Sequence, residues 1–144
     1  MTALLDTSVL VRYFTFDPPD QGAHAQALVE SGEPFYIPAV ALAETGFTLN
    51  KRYGLPREDV VNLLVGLLGL GNVAVLEFSN AIALQALEFC RPSGRVSFAD
   101  ALLWATALSS GNTTVYAFDR RFPSAGIDLR LLDGDSAPDG ASSA

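Results

Sequence analysis

Short apolar runs alternate with longer segments of helical periodicity along the whole chain. Ala3-Leu4-Leu5 is apolar and stops at Asp6, the pattern of a buried strand ending in a polar residue. Thr7-Ser8 can cap a short helix through Val9–Phe14. Pro18-Pro19-Asp20 opens a second helix to about Glu30, and Gly32 closes it. Pro34–Ile37 reads as a second strand. Pro38 starts a third helix, Ala39 to about Tyr53, and Gly54 ends it. Pro56 starts a fourth, with Arg57-Glu58-Asp59 in its first turn. Val73–Leu76 is a third apolar strand. Ser79 caps a helix carrying Ile82, Leu84, Leu87 and Phe89, and Ser97 caps another from Phe98 to about Ser109. Gly111-Asn112 halts that helix. Thr114–Phe118 and Asp128–Leu132 are the fourth and fifth strands.

Short apolar strands separated by helices imply a parallel sheet covered on both faces. The expected fold is α/β: three layers, α/β/α, around a mostly five-stranded parallel sheet. Residues 1–133 form one domain on this reading, and 134–144, rich in small and polar residues, form a loose tail. The most apolar stretch, Val60–Leu76, contains Asn62 and a Gly71-Asn72 turn. It therefore reads as helix, turn and strand rather than a membrane span. No basic segment precedes the first apolar run, so the expectation is a soluble cytoplasmic protein without a signal peptide.

Composition narrows the chemistry. The chain has 144 residues, 49% of them apolar and 17% charged, enough to build a core. It has one cysteine, Cys90, and one histidine, His24. An internal disulfide, a cysteine zinc cluster and a multi-histidine site are excluded. A Ser–His–acid triad would depend on His24, in an alanine-rich helix, and no Gly-x-Ser-x-Gly turn is present. Nine basic against sixteen acidic residues give a net charge of −7, which argues against gripping nucleic acid by bulk charge.

Four acids stand apart from those at helix starts. Asp6 and Asp119 each follow an apolar strand, Asp100 stands three residues after Ser97, and Glu44 lies within Val40-Ala-Leu-Ala-Glu-Thr-Gly-Phe. Each has an ordinary structural reading. Asp6 suits a helix cap, Asp100 a capping box, Asp119 a solvated turn with Arg120-Arg121, and Glu44 an exposed helix face. Each also has a functional reading, because ligands bind at the carboxyl ends of the strands in an open parallel sheet. Gathered carboxylates repel one another unless a cation neutralises them. An oxygen-only donor set suits Mg²⁺ or Mn²⁺ and disfavours Zn²⁺. Glu44, flanked by small apolar residues, is expected near packed surface with a cationic partner.

Leu4-Leu-Asp6-Thr-Ser8, Ala41-Leu-Ala-Glu44, Ser97-Phe-Ala-Asp100 and Ala117-Phe-Asp119-Arg-Arg-Phe122, in this order, resemble a PIN domain. The similarity is greatest to the VapC-type toxins of bacterial toxin–antitoxin pairs and runs from the first residues to about Leu132. It implies a metal-dependent endoribonuclease, with Asp6, Glu44, Asp100 and Asp119 as the acidic quartet around Mg²⁺ or Mn²⁺. Ser8 corresponds to a small polar residue supporting the first Asp. Ala117 stands where the family often has Thr or Ser.

On that resemblance the reaction is hydrolysis of an RNA phosphodiester by a metal-activated water. Arg12, Arg120 and Arg121 are the expected RNA contacts. Lys51-Arg52 and Arg95 are further candidates, and Lys51-Arg52, in the last turn of a helix, also suit ordinary surface charges. A small antitoxin protein and a second copy of the chain are the expected partners. Two alternatives remain: a non-catalytic PIN-like module binding a cation, and an aspartate-based α/β phosphatase. The phosphatase would need an acid two residues after Asp6, where Ser8 stands.

Overall fold

The computed structural model describes residues 3–92 and 95–132. The expected tail, 134–144, lies outside them. In chain order the elements are β1 (Ala3–Leu4), α1 (Thr7–Thr15), α2 (Pro19–Val29), β2 (Phe35–Ile37) and α3 (Ala39–Phe47). A π-helical turn (Thr48–Arg52) continues α3. Then come α4 (Arg57–Leu68), β3 (Val73–Val75), α5 (Asn80–Glu88), α6 (Phe98–Ser110), β4 (Thr114–Ala117) and β5 (Asp128–Leu131).

The chain has an α/β fold with parallel strands, but the five strands do not join in one sheet among the described residues. β1, β2 and β3 form a parallel three-stranded sheet in that order, and β4 and β5 a separate parallel pair. The expected single five-stranded sheet is corrected accordingly. In β1, Ala3 pairs with Phe35 and Leu4 with Tyr36 of β2. Nor are β1 and β4 the buried strands the apolar pattern suggests. Leu4 is 57% exposed, Tyr116 52% and Phe118 75%. The β4–β5 pair is tied to α6 instead: Trp104 Nε1 donates to Ala125 O at 2.7 Å, and Phe122 is buried in the core.

The core lies between the three-stranded sheet and the helices. Leu10, Ile37, Leu42, Leu64 and Leu87 are fully buried in it. α1 packs on α2 and α3, α3 on α6, α6 on α5, and α5 on α4. Asn80 holds β3 in place. Its Oδ1 accepts from Val75 N at 2.9 Å, and its Nδ2 donates to Val73 O at 2.9 Å.

The third helix does not run unbroken to Tyr53. After Phe47 the winding widens, and Tyr53 N bonds to Thr48 O at 3.1 Å, a π-type link. The exit of this turn is tied down by Leu55 N donating to Leu49 O at 3.1 Å and by Asn50 Nδ2 donating to Leu55 O at 2.8 Å. These bonds fix a broader path than an α-helix would take. The Ser79 and Ser97 caps lie where the sequence places them; the Thr7-Ser8 cap does not, since Asp6 is the N-cap of α1 and both residues lie within the helix. Ser79 Oγ accepts from Ile82 N at 3.2 Å and Ser97 Oγ from Asp100 N at 3.0 Å. Gly111, with φ 79°, ends α6 in the left-handed region.

Candidate active site

Asp6 lies just beyond β1 and is the N-cap of α1. Its Oδ2 accepts two hydrogen bonds from Ser8, one from N at 3.1 Å and one from Oγ at 2.5 Å. The Ser8 hydroxyl, first, and the Ser8 amide hold the carboxyl below the usual aspartate range, with a smaller contribution from the charge of Arg12. The capping role is therefore real, and it also lowers the Asp6 pKa. Arg12 is braced by its own bonds, from Nε to Gln21 Oε1 and from Nη1 to Ser8 O at 3.2 Å.

Glu44 projects from α3. It is exposed, and its side chain makes no hydrogen bond or ion pair among the described residues. The expectation of a partnered, near-buried carboxylate is thus corrected: small neighbours such as Ala41 and Ala43 let α3 pack on one face and leave Glu44 on the other. Glu44 borders two cavities. One, of about 610 Å³, also borders Asp6, Ser8 and Arg12. The other, of about 540 Å³, also borders Phe47, Lys51, Arg52, Arg57 and Ser97. Asp6 and Glu44 therefore face one space from the strand end and the helix.

Asp100 is the third residue of α6, behind the Ser97 cap. Asp119 follows β4, and Arg121 engages both of its oxygens. Oδ1 accepts from Arg121 N at 2.8 Å and Nε at 3.0 Å, and Oδ2 from Nη2 at 3.0 Å. That pairing, led by the guanidinium, lowers the Asp119 pKa. Asp100 stands close enough for its charge to act on Arg121 as well. Ala117 has no hydroxyl to offer, and Arg121 occupies the oxygens of Asp119 instead. Arg120 is exposed.

The four acids thus come as two pairs, Asp6 with Glu44 across a cavity and Asp100 with Asp119 around Arg121. Among the described residues, no three Asp, Glu, His or Cys side chains are grouped so as to hold one metal ion. The expected quartet is not gathered in one preformed cage. The first pair nevertheless fits a hard divalent cation chemically. It supplies oxygen donors, and Mg²⁺ commonly keeps several waters beside one or two carboxylates.

Two positioning residues carry no clear signal in the sequence. Glu77, just past β3, accepts from Ala39 N at 2.8 Å with Oε1 and so caps α3 from another element. Pro38, the N-cap, makes no side-chain cap bond. Arg57 spans α4 and the approach to α6. Its Nε donates to Cys90 O at 2.7 Å, its Nη2 donates to Val96 O, and its guanidinium lies 4.9 Å over the Phe98 ring. The missing cap at Pro38 is the one local hint of the first. The second joins residues more than thirty positions apart and leaves no local signal.

Among the described residues, no helix is long and apolar enough to cross a membrane. The family described as PIN domain matches residues 3–127 of the chain. No curated protein matches it as a relative.

Proposed function

The chain belongs to the PIN domain family, whose members are generally metal-dependent nucleases, and from that membership we propose that it is an endoribonuclease acting as the toxin of a toxin–antitoxin pair in the cytoplasm. The observation that carries the reading is the shared space between Asp6, fixed by Ser8 at a strand end, and Glu44 on α3.

Asp6 and Glu44 would hold Mg²⁺ or Mn²⁺, with Asp100 and Asp119 completing the acidic set. When bound, the ion supplies a water acidic enough to attack near neutral pH and screens the phosphate charge. Ser8 keeps one Asp6 oxygen occupied and the side chain in a single orientation. Glu44, with an unpaired and exposed side chain, would bind the ion or orient the attacking water. Arg121 restrains Asp119 through both oxygens, and Arg12 puts a positive charge on the cavity wall beside Asp6. Arg12, Arg120 and Arg121 are the proposed contacts to RNA phosphates.

A small antitoxin protein and a second copy of the chain are the proposed partners. Exposed apolar side chains on and just after α4, Leu63 and Leu70, support such contacts. The test of the activity is cleavage of defined single-stranded RNAs by the wild type, Asp6→Asn and Asp100→Asn, each with Mg²⁺ and with EDTA. The expected result is cleavage by the wild type with Mg²⁺ alone. Equal cutting by all three proteins overturns the reading.

A further inference from the structure

Basic charge on this acidic chain is unevenly compensated. Of nine Lys and Arg residues, Arg91 is paired with Glu58 and Glu88, Arg121 with Asp119, and Arg130 with Asp128. Lys51 and Arg52 are exposed and form no ion pair among the described residues. Arg57 spends its bonds on the carbonyls of Cys90 and Val96, which leaves its charge uncancelled. All three border the cavity of about 540 Å³ that has Glu44 on its rim.

Phe47, Thr48, Asn50, Lys51 and Arg52 all border the cavity, while Leu49 between them is fully buried. The stretch from Phe47 to Arg52 thus presents both cations and the Phe47 ring, 53% exposed, to one space. Ser97 and Phe98 form the opposite wall. Glu44 gives the lining one carboxylate and Lys51, Arg52 and Arg57 give it three cations, beside the Phe47 and Phe98 rings and a largely apolar remainder.

We propose that this cavity is a subsite for single-stranded RNA flanking the bond to be cut, with Lys51 and Arg52 on backbone phosphates and Phe47 against a base. The assignment rests on the nuclease reading and extends it to residues outside the acidic set. It favours phosphate contacts over ordinary surface charges as the role of Lys51 and Arg52. Positive side chains beside an exposed aromatic ring are the chemistry that holds a single strand. A duplex keeps its bases stacked and cannot deliver one to Phe47. Arg57 supports the wall by gripping the segment before α6, and its charge adds to the attraction.

The test measures binding of a fluorescein-labelled, unstructured RNA oligonucleotide by anisotropy over a series of salt concentrations, with Asp6→Asn protein so that the RNA stays intact. Adding Lys51→Ala and Arg52→Ala should weaken binding about tenfold and flatten the slope of log K against log salt by about 1.4, roughly 0.7 for each phosphate no longer neutralised. Adding Phe47→Ala instead should weaken binding and leave the slope unchanged. Adding Arg130→Ala, at a compensated charge on β5, should change neither. Lys51, Arg52 and Phe47 are exposed and Arg130 is partly so, and thermal melts check that each variant is folded.

Unchanged affinity and slope on losing Lys51 and Arg52 overturn the subsite, and the nuclease reading then stands or falls separately on Asp6-dependent cleavage. Retained RNA affinity combined with loss of a co-purifying acidic protein overturns it in favour of a protein partner. Absence of both RNA binding and metal-dependent cleavage overturns the subsite and the nuclease reading together.

Discussion

Gly46 of α3 lies directly against the Phe98 ring of α6. A Cβ added to Gly46 would stand 2.7 Å from Phe98 Cγ and 2.8 Å from Cδ1, well inside van der Waals contact. The two helices cross here because position 46 has no side chain. Glu44 and Asp100 lie two residues from this contact on their respective helices, so the crossing fixes where each acid leaves the core.

Gly46→Ala should therefore destabilise the protein. Overpacking costs about 1–3 kcal/mol, against a gain of about 1 kcal/mol in helix propensity. Gly66, on α4, has nothing within 4 Å of its would-be Cβ. Gly66→Ala should stabilise by about 0.5–1 kcal/mol. Denaturant unfolding of both variants checks the contrast. Combining Gly46→Ala with Phe98→Leu should recover part of the deficit if the ring is the obstacle.

Ser8→Ala should raise the pKa of Asp6 toward its ordinary 3.8, because the Ser8 hydroxyl is the largest cause of its lowering. A carboxylate with a depressed folded pKa stabilises the fold above the unfolded value, and that stabilisation is lost as pH falls through the folded value. The variant should accordingly lose less stability than the wild type as pH drops below about 4. NMR titration of the Asp6 carboxyl in both proteins reads the shift directly.

Cys90 should be inert in the folded protein. It is fully buried, and burial pushes its thiol pKa up to about 11 against a small opposing pull from Arg57. The folded state holds this proton more tightly than the unfolded chain, so stability should fall as pH rises from 9.0 toward about 11. A thiol-specific reagent should label Cys90 at pH 8 after denaturation and not before.

Arg121→Gln should release both oxygens of Asp119 from the guanidinium. The Asp119 pKa should rise, since Arg121 is the main reason it is low. With a competing cation gone from beside Asp100 and Asp119, Mn²⁺ should bind more tightly than to the wild type. Calorimetric titration checks this, with Arg130→Gln as the control for a change in net charge alone.

The elements are legible in the sequence where local chemistry sets them. The Ser79 and Ser97 caps, the Gly111 stop and the period of the apolar residues place α5 and α6 to within a residue. The division of the sheet is not legible, because β1 and β4 have apolar compositions that their exposed positions do not reflect. The turn at Thr48–Arg52 is also hidden, since residues compatible with an α-helix occupy it. Its path is set by Asn50 and Leu49 bonding onward to Leu55. For the site, strand ends and caps single out Asp6, Asp100 and Asp119. That Arg121 folds back on Asp119, and that Glu44 faces a cationic cavity, follow from tertiary placement rather than sequence spacing.

The most direct measurement is Mn²⁺ binding to the metal-free protein, followed by electron paramagnetic resonance, for the wild type and Asp6→Asn. A carboxylate that holds the ion predicts saturable binding by the wild type, weakened at least about tenfold when Asp6 becomes neutral. Identical titrations for the two proteins would contradict a metal-dependent site built on Asp6.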